Sequence, residues 1–317
     1  MPKVPSSEDL RFCRSTPAGI TVESMPTTSD ARARSVVVGV DGSDGSRRAL
    51  RRALWEAEID GAALTLVHAW SSPGWDHDLS AEAAAQRLAD NELGRAMTPL
   101  EIPDVPVVVH TVQGDPGQTL TEASVSADLL VVGRNGRSRC LTASLGATAR
   151  DVVQRARCPV MVVPGADPGS GLGPAPGPSP RLFVGVDGSR PAERALLWAL
   201  DRAVRDGSAV HAVHAWHADG LPALGEGSAA LADLQGSTRA WLLAVVDGVL
   251  SIRPGCEPDV VVEAVRGHPT ATLLARATPE DLLVVGTRGR GGFPGLPLGS
   301  VASQVVEHAG CEAVLVR

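Results

Sequence analysis

The chain has 317 residues, of which 44% are hydrophobic and 21% charged, and its formal net charge is −7. This length is enough for two domains that each bury a core, and the composition is typical of a globular protein in water. The acidic balance argues against general nucleic-acid binding, and no apolar run is long enough to cross a bilayer. We therefore expect neither nucleic acid nor a membrane as a partner.

The N-terminal segment, residues 1–34, lacks apolar periodicity and is rich in Ser, Thr, Pro and charged residues. This composition predicts a disordered tail without the apolar core of a secretory signal, so we expect a cytoplasmic protein. Met25 lies shortly before the first predicted strand and is an alternative start to Met1. The five cysteines are scattered and form no Cys-x-x-Cys pair, which indicates free thiols in a reducing compartment and no metal site.

The rest of the chain contains two copies of one pattern. Val36-Val-Val-Gly-Val-Asp41-Gly-Ser43 matches Leu182-Phe-Val-Gly-Val-Asp187-Gly-Ser189 at an offset of 146 residues (187 − 41). Leu129–Gly133 matches Leu282–Gly286 at an offset of 153 (286 − 133). The second copy therefore holds an insertion of 7 residues (153 − 146), placed between its second strand and Gly267.

Copy one spans residues 35–164 and copy two spans residues 181–317. Between them, residues 165–180 are dominated by Pro and Gly and predict an exposed linker. The chain is therefore predicted to consist of a tail, a first domain, a linker and a second domain.

Strands and helices are predicted to alternate along each copy. In copy one the predicted strands are 36–40, 64–69, 105–112, 129–132 and 160–163. The predicted helices are 47–58, one around 80–97, 116–126 and 147–157. Copy two repeats this order and ends on a strand at 313–316. Strands that are apolar on both faces and separated by helices predict an α/β fold, with a parallel, doubly wound sheet in each copy.

A glycine-rich loop follows the fourth predicted strand of copy two. It reads Gly286-Thr-Arg-Gly289-Arg-Gly-Gly-Phe-Pro-Gly-Leu-Pro-Leu-Gly299-Ser300. We expect Gly286 and Gly289 to let the backbone approach a ligand and to adopt conformations that a Cβ forbids. Gly299 and Ser300 open a predicted helix, whose free N–H groups and dipole favour an anion. The loop is therefore predicted to bind phosphate, and a purely structural turn is the alternative.

Ligands of a doubly wound sheet bind beyond the carboxyl ends of its strands, at the switch point. The loops after the first and fourth strands meet there, and in copy two these are Asp187-Gly-Ser189 and the glycine loop. Asp187 is a candidate to recognise a base or ribose, although Asp-Gly-Ser also suits a helix cap. Arg288 and Arg290 are candidates to neutralise phosphate charge, with simple solvation as the alternative.

The spacing Gly-x2-Gly-x9-Gly-Ser, between a strand and a helix, resembles the nucleotide-binding motif of the universal stress protein family, in its ATP-binding branch. The resemblance covers nearly all of both copies and implies a five-stranded Rossmann-like sheet in the order 3-2-1-4-5. It implies ATP, with magnesium, as the ligand. It also implies that the copies pair through their last strands, 160–163 and 313–316, and we consider a further homodimer.

The resemblance implies a set of nucleotide-binding residues in copy two. Gly185, Val186 and Asp187 would line the base pocket, and Ala215 would pack against adenine. Ribose and phosphates would be held by Gly286, Gly289, Gly299, Ser300 and Val301, with Arg288 beside them. The corresponding candidates in copy one are Asp41, Gly133, Gly136 and Gly146.

Copy one departs from the motif at its last position. Ala147 stands where copy two has Ser300, although Thr148 follows it. A missing hydrogen bond to a charged group costs on the order of 1.5–3 kcal/mol, or roughly ten- to a hundredfold in affinity. We therefore predict that copy two binds ATP and that copy one binds it weakly or not at all.

No P-loop, Gly-x-Ser-x-Gly elbow, His-Glu-x-x-His motif or His-x-Gly-His signature occurs in the chain. We therefore predict a nucleotide-binding regulatory protein of the stress response and not an enzyme. The alternatives are a nucleotide-independent interaction scaffold and a slow ATPase. His68 and His214 lie inside predicted strands, with Trp70 and Trp216 close behind, and we expect these four side chains to pack in the core.

Overall fold

A computed structural model describes residues 34–70, 83–84, 86–91, 105–136, 145–165, 181–217, 229–252, 258–291 and 296–317. The predicted tail and linker lie outside these residues, apart from Arg34 and Gly165. Of the helix predicted around 80–97, the described residues 83–84 and 86–91 are helical. No helix in the described ranges is both long enough and apolar enough to span a bilayer.

The described part of copy one contains five strands with helices between them. The strands are β1 (Ser35–Gly39), β2 (Ala63–Trp70), β3 (Val107–Gln113), β4 (Leu129–Gly133) and β5 (Val160–Val163). The helices with complete bounds are α1 (Asp44–Asp60), α2 (Pro116–Ala123) and α3 (Ala147–Arg155). Helix α1 begins where the Ser43 hydroxyl accepts a hydrogen bond from the Ser46 N–H, and it ends at Gly61, which has a left-handed φ of 57°.

Copy two repeats this arrangement. Its strands are β6 (Leu182–Gly185), β7 (Val210–Trp216), β8 (Val260–Arg266), β9 (Leu282–Gly286) and β10 (Glu312–Val316). Its helices are α4 (Arg190–Asp206), α5 (Ala229–Leu250), α6 (Pro269–Arg276) and α7 (Ser300–His308). The strands and helices predicted for the described residues are present, with ends shifted by at most three residues.

The strands form one ten-stranded sheet in the order β3-β2-β1-β4-β5-β10-β9-β6-β7-β8. Within each copy all neighbouring strands are parallel, and the order from edge to centre is 3-2-1-4-5. This is the predicted doubly wound fold. Because the chain leaves the first strand of each copy in one direction and later returns on its other side, the switch points lie at β1 and β6.

The two copies meet at β5 and β10, the last strand of each. These strands pair antiparallel, with Val314 opposite Met161 and flanking pairs Ala313–Val162 and Leu315–Val160. They are the two strands through which the resemblance implies pairing. Neither strand is left as an open edge, because each is hydrogen-bonded on both sides.

The core is formed on both faces of the sheet, as the apolar strands predict. One face packs α1, α4 and α5 through Leu50, Leu196 and Leu242. The other face packs α2, α3, α6 and α7 through residues such as Val152 and Val305. Because helices cover both faces of the sheet, each copy is open at the carboxyl ends of its strands.

Candidate functional site

The carboxyl ends of β6 and β9 lie side by side, because these strands are parallel neighbours in the sheet. Beyond them the chain continues from β6 into Val186 and Asp187, and from β9 into the glycine loop. A cavity of about 350 Å³ opens at this edge. Its size lies within the range of small-molecule sites in proteins, and its position is the predicted switch point.

All ten nucleotide-binding residues predicted for copy two line this cavity. They are Gly185, Val186, Asp187, Ala215, Gly286, Arg288, Gly289, Gly299, Ser300 and Val301. Arg290, the second candidate arginine, lines it as well. The structure therefore brings together residues that lie up to 116 positions apart in the chain (301 − 185).

Asp187 ties the glycine loop to the end of β6. Its Oδ1 accepts a hydrogen bond from the Ser189 N–H and its Oδ2 accepts one from the Arg290 N–H, each at 2.9 Å. Ser189 caps α4, since its Oγ accepts from the Ala192 N–H at 3.3 Å. The Asp-Gly-Ser segment thus forms the helix cap that we considered, and it also anchors the loop beside the cavity.

The glycine loop closes at its base, where the Gly299 N–H donates to the Thr287 carbonyl at 2.8 Å. Helix α7 begins at Ser300, and Gly299 before it has no side chain that could cap the helix. In α1, α2 and α4 the side chains of Ser43, Asp115 and Ser189 each cap one early N–H, whereas α3 and α6 lack a side-chain cap as α7 does. The first N–H groups of α7 are thus uncapped beside the cavity, which is how a helix receives an anion.

The reason for two loop glycines differs from our prediction. Gly286 and Gly289 do not have a positive φ, so the expectation of conformations closed to other residues is wrong. A Cβ on Gly286 would instead lie 2.6 Å from the carbonyl carbon of Pro191 in the first turn of α4. A Cβ on Gly289 would lie 2.4 Å from Oδ2 of Asp187. Both glycines admit a close protein contact that shapes the loop.

The charge at the cavity favours an anionic ligand. Among the residues that line it, Arg288 and Arg290 are positive and Asp187 is negative. Both arginines are exposed, so their charges face water as well as the cavity. Burial, together with the nearby charges of Arg288 and Arg157, lowers the pKa of Arg317 at the end of the chain. Among the described residues, no group of three or more His, Cys, Asp or Glu could hold a metal ion.

Part of the cavity wall is apolar. It is formed by the ends of β7 and α6, through Val213, Ala215, Pro269 and Leu273. Pro269 and Leu273 were missed by the sequence analysis. A signal was present, because both copies carry Pro-x3-Leu at the start of the short helix after the third strand. In copy one this pair is Pro116 and Leu120, which line the equivalent cavity.

Copy one has a cavity of about 440 Å³ at the same place, lined by Asp41, Gly133, Gly136 and Gly146. Its backbone repeats the plan of copy two, since the Gly146 N–H donates to the Arg134 carbonyl at 2.9 Å. A Cβ on Gly136 would lie 2.6 Å from Oδ2 of Asp41. Ala147, which begins α3, brings no hydroxyl. The loop residues 137–144 lie outside the described ranges, and the weaker binding predicted for copy one stays a prediction.

Both strand histidines are hydrogen-bonded, but only His68 is buried in the core as expected, whereas His214 is partly buried. Nδ1 of His68 is hydrogen-bonded to the Val40 carbonyl at 2.8 Å, and Nδ1 of His214 to the Val186 carbonyl at 2.6 Å. The second contact fixes Val186 at the cavity wall. Trp216 is buried, as expected, whereas Trp70 is only partly buried.

These features define a class of protein with two tandem doubly wound α/β units, each with a cavity at its switch point. A model of the universal stress protein family matches residues 32–164 and again residues 179–317. The chain belongs to the universal stress protein family and carries its domain twice.

Relatives with the same tandem length support this assignment. A universal stress protein of Mycolicibacterium smegmatis is 31% identical over 299 residues, covering 89% of this chain and 96% of the relative. Universal stress protein Rv2623 of Mycobacterium tuberculosis is 30% identical over 304 residues, with the same coverage of both chains. The crystal structure of a universal stress protein from Archaeoglobus fulgidus is 18% identical, with a TM-score of 0.64. It covers 90% of this chain and 99% of that one, which shows a shared fold.

Proposed function

We propose that the protein binds an adenine nucleotide, with ATP as the first candidate, and holds it mainly in copy two as a regulator of the stress response. One observation carries the proposal: the uncapped start of α7 at Gly299 and Ser300 shares a cavity with an apolar wall. Phosphates require N–H donors and positive charge, whereas a base requires an apolar slot. This cavity offers both kinds of surface.

In this proposal the phosphates lie at the first N–H groups of α7, where the Ser300 hydroxyl adds a donor. Arg288 and Arg290 contribute positive charge from the loop, and Asp187 keeps that loop in place. The base lies against Val186 and the apolar part of the cavity wall. Magnesium bound to the phosphates would neutralise part of their charge.

We further propose that the site binds its ligand without efficient turnover. Among the described residues that line the cavity, Asp187 is the one with a carboxylate, and both its oxygens accept hydrogen bonds from backbone N–H groups. These two contacts make it the anchor of the glycine loop, which is the role that we assign to it. Nucleotide state would then act by changing the shape of the protein or its choice of partner.

We propose that the two copies work as one unit, which the pairing of β5 with β10 supports. A homodimer of such units stays a prediction.

A reducing compartment such as the cytoplasm suits the buried thiols of Cys158 and Cys311, which are free. Burial raises the pKa of both thiols to about 12, so they are held in the unreactive, protonated form.

The second candidate is a nucleotide-independent scaffold, and one observation favours it. Gly286 and Gly289 are explained by contacts with Pro191 and Asp187 alone, without any ligand. On this interpretation the glycine loops close the fold and the cavities have no ligand. The two candidates differ in whether nucleotide stays bound to the protein during purification.

The experiment is to identify and count the nucleotide released when the purified protein is heat-denatured, followed by titration of stripped protein with ATP and magnesium. We expect about one ATP per chain. The variant Gly299→Ala/Ser300→Ala should lose it, because it places a methyl group 3.3 Å from Cα of Arg288 and removes the hydroxyl. Gly310→Ala is the matched control, since a Cβ there meets open space.

Three outcomes would contradict parts of the proposal. No released nucleotide together with no binding on titration would support the scaffold. Equal binding by the two copies would contradict the assignment to copy two. Phosphate release from ATP that disappears in the Gly299→Ala/Ser300→Ala variant would identify a slow ATPase at this site.

A further inference from the structure

The two copies are related by a local two-fold axis that passes through their interface. In the β5–β10 pair, Val314 faces Met161, its own equivalent at an offset of 153 residues (314 − 161). Between α1 and α4, Glu56 forms an ion pair with Arg202, its own equivalent at an offset of 146 residues (202 − 56). A residue faces its own equivalent only beside a two-fold axis. The axis therefore runs close to both contacts, and at one of them the two copies carry opposite charges.

Both members of this pair are removed from water, because the side chains of Glu56 and Arg202 are 0% and 1% exposed. Oε1 of Glu56 accepts a hydrogen bond from Nε of Arg52 on its own helix at 2.7 Å, and Oε2 accepts from Nη1 of Arg202 across the interface. Nε of Arg202 donates to Oδ2 of Asp206 on its own helix at 2.6 Å. Each charge thus has one partner within its copy and one in the other copy.

The surroundings of the pair are also unlike in the two copies. The guanidinium of Arg202 lies 4.9 Å from the ring centroid of Trp55, and that of Arg52 lies 4.4 Å from it. The equivalent of Trp55 in copy two is Asp201, so copy two has no aromatic residue at this position. Arg52 reaches further across, to Oε2 of Glu312 at 2.9 Å. The interface is therefore complementary, because the two copies contribute different residues to it at equivalent positions.

We propose that Glu56 and Arg202 make the two copies select each other, so that the docking surface of each copy accepts the other copy and rejects a second copy of itself. Two first copies would place Oε2 of one Glu56 against Oε2 of another. Two second copies would place Nη1 of one Arg202 against Nη1 of another. Like charges left facing each other in a buried site oppose association, which gives specificity between otherwise similar surfaces. This selection does not depend on nucleotide.

The first test uses the full chain and reverses one charge at a time. Glu56→Arg and Arg202→Glu each change the charge of the buried cluster by two units, in opposite directions, and the double variant restores its sum. We expect each single variant to lose about 6 °C or more in its midpoint of thermal unfolding, and the double variant to melt above either single variant. Glu58→Arg is the matched control, because Glu58 is exposed on the same helix.

The second test mixes the two single variants after unfolding them together and letting them refold. Copy one of the Glu56→Arg chain is complementary to copy two of the Arg202→Glu chain. The other two copies, copy two of the first chain and copy one of the second, are unchanged and also match each other. We expect a 1:1 complex of the two chains by native mass spectrometry, and less association for either variant refolded alone. Where a single variant does not fold, recovery of soluble protein on co-expression of the pair gives the same information.

Two results would overturn the inference. One is a double variant that melts no higher than its parents, since the charges would then not interact across the interface. The other is a refolded mixture that contains only the species found for each variant alone.

Discussion

The carboxylate of Asp187 accepts a hydrogen bond from the backbone N–H of Arg290, 103 residues further along the chain, at 2.9 Å. This contact joins the turn after β6 to the glycine loop after β9, the two segments that border the candidate nucleotide site. Gly289 makes it geometrically feasible, because any side chain there would collide with Oδ2 of Asp187. The shape of the loop thus depends on a residue pair that only the folded sheet brings together.

The first prediction concerns this anchor. Asp187→Ala removes two hydrogen-bond acceptors and should lower the affinity of copy two for ATP by about tenfold or more, because the loop loses its fixed position. Isothermal titration with ATP and magnesium measures the change. Asp41→Ala removes the equivalent carboxylate from copy one and serves as the control, with copy-two affinity unchanged. Unaltered binding by Asp187→Ala would show that the loop holds its shape without the anchor.

The second prediction concerns the first residue of the helix behind each glycine loop. Ser300→Ala should weaken ATP binding by roughly ten- to a hundredfold, and Ala147→Ser should strengthen binding in copy one, since a hydroxyl is lost in one case and gained in the other. Titrations of the two variants and of wild type test both directions at once. If exchange of the hydroxyl leaves both affinities as they are, the difference between the copies has another origin.

The fold followed from the sequence because its signals are local and occur twice. Each strand was predicted from an apolar run between segments with helical periodicity. The offsets of 146 and 153 residues between the two copies showed which segments are equivalent. The parallel sheet and its switch points then followed from general rules of connection. Some cavity residues, such as Asp187, Gly299 and Ser300, could be named because they follow a strand or open a helix, whereas others, such as Ala215, were implied only by the resemblance to the universal stress protein family.

The parts that were missed depend on contacts between distant segments. Gly286 is required by Pro191, 95 residues earlier (286 − 191), and nothing in the loop itself reveals that contact. Glu56 and Arg202 lie on amphipathic helices where charged residues are usually solvated, so their burial was not expected. The sequence did carry a signal of this contact, because the two residues are equivalent in the repeat and the last strands of the two copies were expected to pair.

The third prediction follows from the packing of Gly286. Gly286→Ala would place a methyl group 2.6 Å from backbone atoms of α4, which cannot move as a flexible side chain can. We expect a loss of about 1–3 kcal/mol in the free energy of unfolding. Gly310→Ala, where a Cβ meets open space, should change it little. Denaturant unfolding of both variants provides the comparison, and similar losses in the two would show that the overlap is relieved without cost.

The fourth prediction concerns Asp281, which precedes β9 and thus the glycine loop. Its side chain is 4% exposed and accepts hydrogen bonds from Arg181 and from the N–H and hydroxyl of Thr278, all at 2.8–2.9 Å. Burial by itself raises the pKa of this carboxyl, but the hydrogen bonds from Arg181 and Thr278 outweigh it and hold the pKa below its ordinary value of 3.8. The carboxylate form is therefore favoured in the folded protein.

Because the folded-state pKa of Asp281 is depressed, its contribution is complete above pH 3.8 and is lost as the pH falls through the folded-state value. Asp281→Asn should cost about 1–2 kcal/mol at neutral pH, a figure kept low because Arg181 is half exposed. The difference from wild type should shrink in acid, as measured by denaturant unfolding at pH 7 and near pH 3. Asp128→Asn is the control, since Asp128 is the exposed equivalent in copy one and accepts from the Ser35 N–H. A cost for Asp281→Asn that is the same at both pH values would mean that the charge of Asp281 is not what stabilises the start of β9.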